Sequence, residues 1–351
     1  PEGWHEQDPL MLATASEELL RALVAEIGAP ERVTGLALTG QMHGALLCNP
    51  DGTPATSLVT GRDQRAVNEI PAWQAKLNPL ESRLGCRIHP GYGGATIAWF
   101  TKEKMLSGTM QAMPLAAWIG ERLTGVRRVD SHHAASWALY DGPTGTWLEP
   151  AITALGIPRS ALPDIIASGQ TLGQLGATQA KALGLRPGVT VHAPLGDNQA
   201  SVFGSTLGNP STACINLGTG GQISIPIPAW RFTEGTETRP YTGTGALQIG
   251  AALCSGWAYD YCRAFIAGAV ASVTGAAPSD KAVFQAMDRA AEAAQTGADG
   301  LVFDTRFQGT RGEPALRGAI SQISTSNLTL ANFCRAALEL SLIHISQGIV
   351  R

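Results

Sequence analysis

Apolar residues recur at helical spacing through Leu19, Leu20, Leu23, Val24 and Ile27, which predicts a helix over 11–27 stopped by Gly28 and Pro30. The pattern then changes to short apolar runs at 33–39 and 45–48, which predict two strands, the second ending in the turn Asn49-Pro50-Asp51-Gly52. Gln41, Met42 and His43 therefore fall in a short link between strands, where side chains can face a cleft. Helices are predicted over 66–77, 95–106 and 114–123, the last closed by Thr124-Gly125, and 130–164 reads as loop-rich. A helix over 177–183, a turn at Pro187-Gly188 and a strand over 189–192 lead into Leu195-Gly196-Asp197-Asn198. Beyond it, strands are expected near 213–217, 222–226 and 246–249. Helices are expected near 256–270, 280–294 (capped by Ser279) and 328–340 (capped by Asn327). Strands mixed with helices in both halves predict two α/β domains facing a cleft, 1–190 and 191–351.

Length and composition narrow the class. A chain of 351 residues with 44% hydrophobic content can build two cores. A net charge of −3 with no basic stripe argues against a nucleic-acid partner. The longest apolar runs fall short of a membrane span, and no signal peptide opens the chain. Six scattered cysteines without a C-x-x-C pair predict buried, reduced thiols in a cytoplasmic protein rather than disulfides or zinc. Asn327-Leu328-Thr329 matches a glycosylation sequon but reads as a helix cap in that setting.

Candidate chemistry concentrates in a few places. Asp197 could accept the proton of a hydroxyl during phosphoryl transfer, or could simply cap a helix. Gly218-Thr219-Gly220-Gly221 could cradle phosphates with its backbone N–H groups, or be a glycine hairpin. It is not a P-loop, because the lysine of that motif is absent. Gln41, Met42 and His43 offer an amide, an apolar wall and an imidazole to a polyol, or else form a strand-end cluster. Asp63 and Arg65 could bind further hydroxyls, or pair with each other. His132 and His133 are adjacent, so their side chains diverge, and no third ligand stands at a zinc spacing.

The ordered series of motifs is more specific than any member. It runs through Thr39-Gly40-Gln41-Met42-His43-Gly44, Ser57-Leu58-Val59-Thr60-Gly61-Arg62-Asp63-Gln64-Arg65, Gly91-Tyr92-Gly93-Gly94-Ala95-Thr96-Ile97-Ala98-Trp99 and Ala134-Ala135-Ser136-Trp137. It continues through Gly196-Asp197-Asn198-Gln199-Ala200-Ser201, Asn216-Leu217-Gly218-Thr219 and Phe307-Gln308-Gly309-Thr310-Arg311. This series resembles the FGGY carbohydrate kinases from about Val33 to Glu339, and within them the sedoheptulokinase branch, with xylulokinase-like enzymes next. The resemblance implies a two-domain α/β fold of the actin, hexokinase and Hsp70 (ribonuclease H-like) type with an interdomain cleft. It implies ATP and Mg²⁺ as cofactors, a ketose substrate, no membrane partner, and leaves a homodimer open. By the family pattern Asp197 would be the catalytic base. Gln41, Met42, His43 and Asn198 would line the sugar, with Asp63 a further substrate-binding candidate from its own motif, and Gly218, Thr219, Gly220 and Gly221 would sit by the ATP phosphates.

Three departures accompany the resemblance. Gly61 stands where family members usually carry Trp, which would leave one wall of the sugar site open or refilled by other residues. An Asp-x-Gly-Thr phosphate hairpin is expected ahead of Pro1, and a Gly-Gly adenine segment beyond Glu339. Residues 340–351 leave the family pattern, and 340–346 resembles translated sequencing-adapter DNA. The chain is thus expected to be an internal fragment of a kinase. A non-catalytic sugar-binding module on the same fold is the rival expectation.

Overall fold

The computed structural model describes residues 2–217, 220–243, 245–254, 256–307 and 316–339. The chain divides into two compact units, each with its own core. The first comprises Pro1–Pro210, Pro226–Phe232 and Thr238–Leu247; the second comprises the described residues of Ser211–Ile225, Thr233–Glu237 and Gln248–Arg351. The expected boundary near 190 therefore lies inside the first unit. The reason is strand pairing across long sequence separations: Thr190–His192 runs parallel to Gly35–Leu36, and Leu195–Gly196 runs parallel to Thr39–Gly40.

The first unit holds two apolar clusters. The larger is built on Leu46–Cys48, buried on both faces and paired antiparallel with Gln111–Met113. Helix Gly93–Lys102 packs against it with an almost wholly buried run, Gly93 to Ala98 and Phe100. The segment predicted to be loop-rich belongs to this core. It folds as short pieces, Val129–Asp130, Ser131–Ala135, Tyr140–Asp141, Thr146–Trp147 and Glu149–Ala154. Trp137 is 0% exposed, donates Nε1–H to Gly44 O at 3.3 Å and stacks on Trp147 with centroids 5.9 Å apart. Elements this short carry no readable periodicity, which is why the sequence pattern shows only loops there. The smaller cluster gathers Leu36, Leu123, Leu183, Val189 and Val191 around the three-stranded sheet of Thr171–Gln174, Thr190–His192 and Gly35–Leu36.

The predicted first helix forms as Pro9–Ile27, capped by Asp8 and closed at Gly28, whose φ of 64° suits the left-handed stop. Its buried edge differs from the predicted stripe. Val24 is buried and Leu20 packs on the smaller cluster, whereas Leu19, Leu23 and Ile27 are exposed. In the second unit, helices Gly256–Thr274 and Asp280–Ala293 pack with the hairpin Val302–Asp304/Ala319–Ser321 and helical residues 330–339. Ser279 caps Asp280–Ala293 as predicted, its hydroxyl accepting from Ala282 N. Asn327 does not cap the last helix. That helix starts at 330 with Thr329 Oγ1 accepting from Asn332 N at 3.1 Å, while the Asn327 amide bonds Asp299 O and Gln322 O in the preceding loop. Among the described residues no helix is long and apolar enough to cross a membrane. Residues 340–351 lie outside the described residues.

Replacing the Trp137 ring, Trp137→Ala, removes a buried hydrogen bond and a stacked pair together. The expected loss is about 3–5 kcal/mol, measured as the shift in urea unfolding of the chain.

Candidate functional site

The site begins with a two-residue ladder. Thr39–Gly40 and Leu195–Gly196 pair in parallel, Thr39 opposite Leu195 and Gly40 opposite Gly196. Parallel strands leave their carboxyl ends on the same side, and ligand sites of open α/β sheets collect there. Here Gln41, Met42 and His43 leave one strand while Asp197 and Asn198 leave the other. Contact between the two motifs is direct, because a Cβ placed on Gly196 would meet Met42 Sδ at 3.0 Å.

Asp197 is exposed and opens the helix Asp197–Thr206. Gly196, not Asp197, occupies the cap position, so the carboxylate is not engaged as an N-cap across the first turn. One oxygen accepts from Asn198 N at 2.8 Å. An anion in the first turn is favoured by the unpaired N–H groups and dipole there. Asn198 is half-buried beside it.

The link carrying Gln41, Met42 and His43 is tightly turned. His43 has φ 75°, the left-handed region, and Ser136 holds it there from two sides. His43 N donates to Ser136 Oγ at 3.0 Å, and His43 Nδ1 lies 3.0 Å from Ser136 O, which assigns the ring proton to Nδ1. The imidazole stacks on Tyr92, centroids 4.3 Å apart and planes 15° from parallel, with buried Arg239 behind that ring. Gln41 Nε2 donates to Gln7 Oε1 at 3.1 Å. Gly61 lies against this turn: a Cβ there would come 3.1 Å from His43 Cβ. The glycine standing where Trp was expected thus borders the imidazole directly.

Asp63 belongs to a different structure. It is 0% exposed, and all its hydrogen-bonding capacity is taken within the protein. Oδ1 accepts from Arg65 N at 2.8 Å and Nε at 2.9 Å; Oδ2 accepts from His5 N at 2.7 Å and Arg65 Nη2 at 3.0 Å. Arg65 in turn reaches Glu6 at 2.6 Å and lies 4.0 Å from the Trp4 ring centre. The expectation that Asp63 lines the sugar is corrected: it fastens the N-terminal segment. Burial works against the ionised carboxyl, but the bonds from Arg65 and His5 outweigh it and hold the pKa below its ordinary value.

The phosphate-loop candidates lie in the second unit. Cys214–Leu217 and Gly220–Ile227 pair antiparallel with Leu217 opposite Gly221, so Gly220 and Gly221 open the returning strand. Gly218 and Thr219 lie outside the described residues. Among the described residues no three His, Cys, Asp or Glu side chains gather to hold a metal ion. Magnesium bound through phosphates with one or two carboxylates needs no such cage, and the described residues assign it no ligand.

Sequence reasoning missed four supports of this site: Tyr92, Ser136, the pair Asp130–His133, and His132. Tyr92 and Ser136 lie inside quoted motifs but announce no role, and only the fold brings them to His43. For the two histidines, adjacency suggested a metal and nothing else.

Comparison with known proteins identifies the family and the fold. The sequence model described as the FGGY family of carbohydrate kinases, N-terminal domain, matches residues 1–204. The chain is 27% identical to mouse sedoheptulokinase, an alignment covering 96% of the chain and 73% of the relative. It is 27% identical to a glycerol kinase from Methylibium petroleiphilum, covering 96% of the chain and 68% of the relative. Its fold matches the crystal structure of xylulose kinase from Rhodospirillum rubrum with a TM-score of 0.89 at 23% identity, over 100% of the chain and 71% of that structure. The fold is thus the two-domain α/β fold of the actin and hexokinase type.

A carboxyl with a depressed pKa contributes stability that is complete above its ordinary value, about pH 4, and is lost as pH falls through the lower folded value. Asp63→Asn leaves buried Arg65 with Glu6 as its acid and removes the charge-assisted bonds to Asp63, and should cost about 1–3 kcal/mol at pH 7. Urea melts at stepwise lower pH should show wild type and variant converging below about pH 4.

Proposed function

The chain belongs to the FGGY family of carbohydrate kinases, and from that premise we propose that it phosphorylates the terminal hydroxyl of a ketose, with sedoheptulose giving sedoheptulose 7-phosphate. The observation that carries this reading is the parallel ladder of Thr39–Gly40 with Leu195–Gly196, which sets Gln41, Met42 and His43 next to Asp197 and Asn198. An amide, a thioether and an imidazole beside an exposed carboxylate make a polar, partly apolar lining that suits a polyol. Asp63 has no free lone pair and takes no part.

In the proposed reaction Asp197 accepts the proton of the attacking hydroxyl. The hydroxyl oxygen forms its bond to the γ-phosphorus as the bond to the β,γ-bridging oxygen breaks, and ADP leaves. The carboxylate is available for this because, among the described residues, its hydrogen bond is to the adjacent amide of Asn198. His43, fixed by Ser136 and Tyr92, presents a ring whose orientation and protonated nitrogen are set before substrate arrives. ATP is the phosphoryl donor of the family. Magnesium, when bound, offsets charge on the phosphates, and no step here is routed through it. The preference for sedoheptulose rests on the likeness of the 94–99 and 134–137 segments to that branch and on the mouse relative. A cytoplasmic location fits this reading.

Asp197→Asn should lower turnover by ~10²-fold or more while leaving ketose binding intact. Turnover that survives the change would remove Asp197 from the role of base. Sedoheptulose at ~100 times its dissociation constant should add about 2.7 kcal/mol to the folded state. Thermal melts against sedoheptulose, D-xylulose, D-ribulose and glycerol measure this, and a larger shift with D-xylulose would move the assignment to a pentulose kinase.

A further inference from the structure

Beside the turn that carries Asp197 lie two buried histidines that the proposed chemistry does not use. They are neighbours on the short helix Ser131–Ala135, His132 2% and His133 0% exposed, yet they make opposite connections. His133 Nδ1 lies 2.7 Å from Asp130 Oδ2. Asp130 is held in turn, Oδ1 accepting from His133 N at 3.1 Å and from Ser168 Oγ at 3.0 Å. His132 turns the other way and accepts at Nδ1 from Gly196 N at 3.3 Å.

The two rings differ in charge for a physical reason. Burial disfavours the cation in both. For His133, the bonded Asp130 carboxylate outweighs burial and raises the pKa, with Asp197 acting in the same direction. For His132, burial dominates: Asp130 is not bonded to it, the charge on His133 repels its proton, and the pKa falls to about 4. With its pKa at about 4, His132 is the neutral ring at neutral pH, whereas Asp130 favours the charged form of His133. Only a neutral ring can accept a hydrogen bond, and accepting at Nδ1 places its proton on Nε2.

Gly196 needs that acceptor. In the two-stranded ladder Leu195 N donates to Leu38 O at 2.9 Å, so the next amide in the strand points away from its partner. Gly196 is buried, and an unmet amide there would cost about 1–3 kcal/mol. His132 supplies the acceptor that a third strand would otherwise give. We propose that His132 is a positioning residue for phosphoryl transfer: its Nδ1 clamps the Gly196 amide and so fixes the direction in which Asp197 and Asn198 leave the strand. This rests on Asp197 being the base. A misplacement of about 1 Å at a reacting group can cost ~10²-fold in rate.

The test compares H132L, which keeps bulk and removes the acceptor, with H132N, whose side-chain oxygen can stand near the place of Nδ1. The first readout is amide exchange at Gly196, with Leu195 as internal reference. H132L should speed Gly196 exchange about tenfold relative to Leu195, and H132N should restore most of the protection. The second is ketose phosphorylation, where H132L should lower kcat about tenfold or more with the ketose KM changed less than about threefold, and H132N should recover it. Unchanged Gly196 exchange in H132L overturns the clamp, as does an H132N that performs no better than H132L. Should H132L fail to fold, H132Q takes its place, because its longer amide reaches past the Nδ1 position. If Asp197→Asn keeps its turnover, the base assignment falls, while the exchange data still decide whether His132 holds Gly196.

Discussion

Gly40 and Gly196 face each other across a ladder only two residues long, and each is small because something occupies the space a side chain would take. A Cβ on Gly40 would meet Ala116 Cβ at 2.9 Å, and one on Gly196 would meet Gln199 Oε1 at 2.5 Å and Met42 Sδ at 3.0 Å. With both Cβ atoms missing, helix Leu115–Thr124 can approach one strand and the Met42 side chain can lie over the other. Everything chemical in the first unit follows from this close approach. It determines which residues emerge together at the carboxyl ends, and it leaves the Gly196 amide on the outer edge, where only a side chain can reach it.

Buried polar groups in this unit sort into two kinds by how completely they are satisfied. Asp63 with Arg65, His5 and Glu6 is closed: every oxygen of the carboxylate has partners, and the result is an anchored N-terminal segment. The histidine pair is divided: Asp130 holds His133, while His132 beside it accepts from Gly196 N, the residue before the proposed base. A closed network stabilises, whereas an acceptor on a reacting turn fixes position. The difference could not be inferred from residue type, since both begin with an aspartate two or three residues before a basic side chain.

Much of the local structure was legible. Strong signals such as the Gly28 stop, the Ser279 cap and the apolar run at 45–48 correspond to observed boundaries to within a residue or two, whereas the strand expected at 246–249 runs on to Cys254. Legibility failed where partners come from far away. The stripe on helix Pro9–Ile27 is wider than the edge that its neighbours cover, so Leu19 and Leu23 stay exposed although their spacing matches Leu20 and Val24. The region after Asp130 looked irregular because its pieces are too short for periodicity, yet Trp137, Leu139 and Trp147 make it part of the larger core. The boundary expected near 190 was displaced because the two strands that follow it pair with 35–36 and 39–40.

From the sequence alone came the family resemblance, the α/β class, the candidate base and the three candidate sugar contacts, because these reside in short motifs whose residue types carry the chemistry. Asp197, Gln41, Met42 and His43 were singled out as candidates without any coordinates. Which candidates belong together was decided by tertiary structure. Only the fold could withdraw Asp63 from the site, set His43 on Ser136 and Tyr92, and send two adjacent histidines to different partners, one to a carboxylate and one to a backbone amide. The physical reason is that hydrogen bonding and burial depend on neighbours in space: a carboxylate or imidazole has the same intrinsic chemistry everywhere, and its surroundings determine whether that chemistry is satisfied, charged or available.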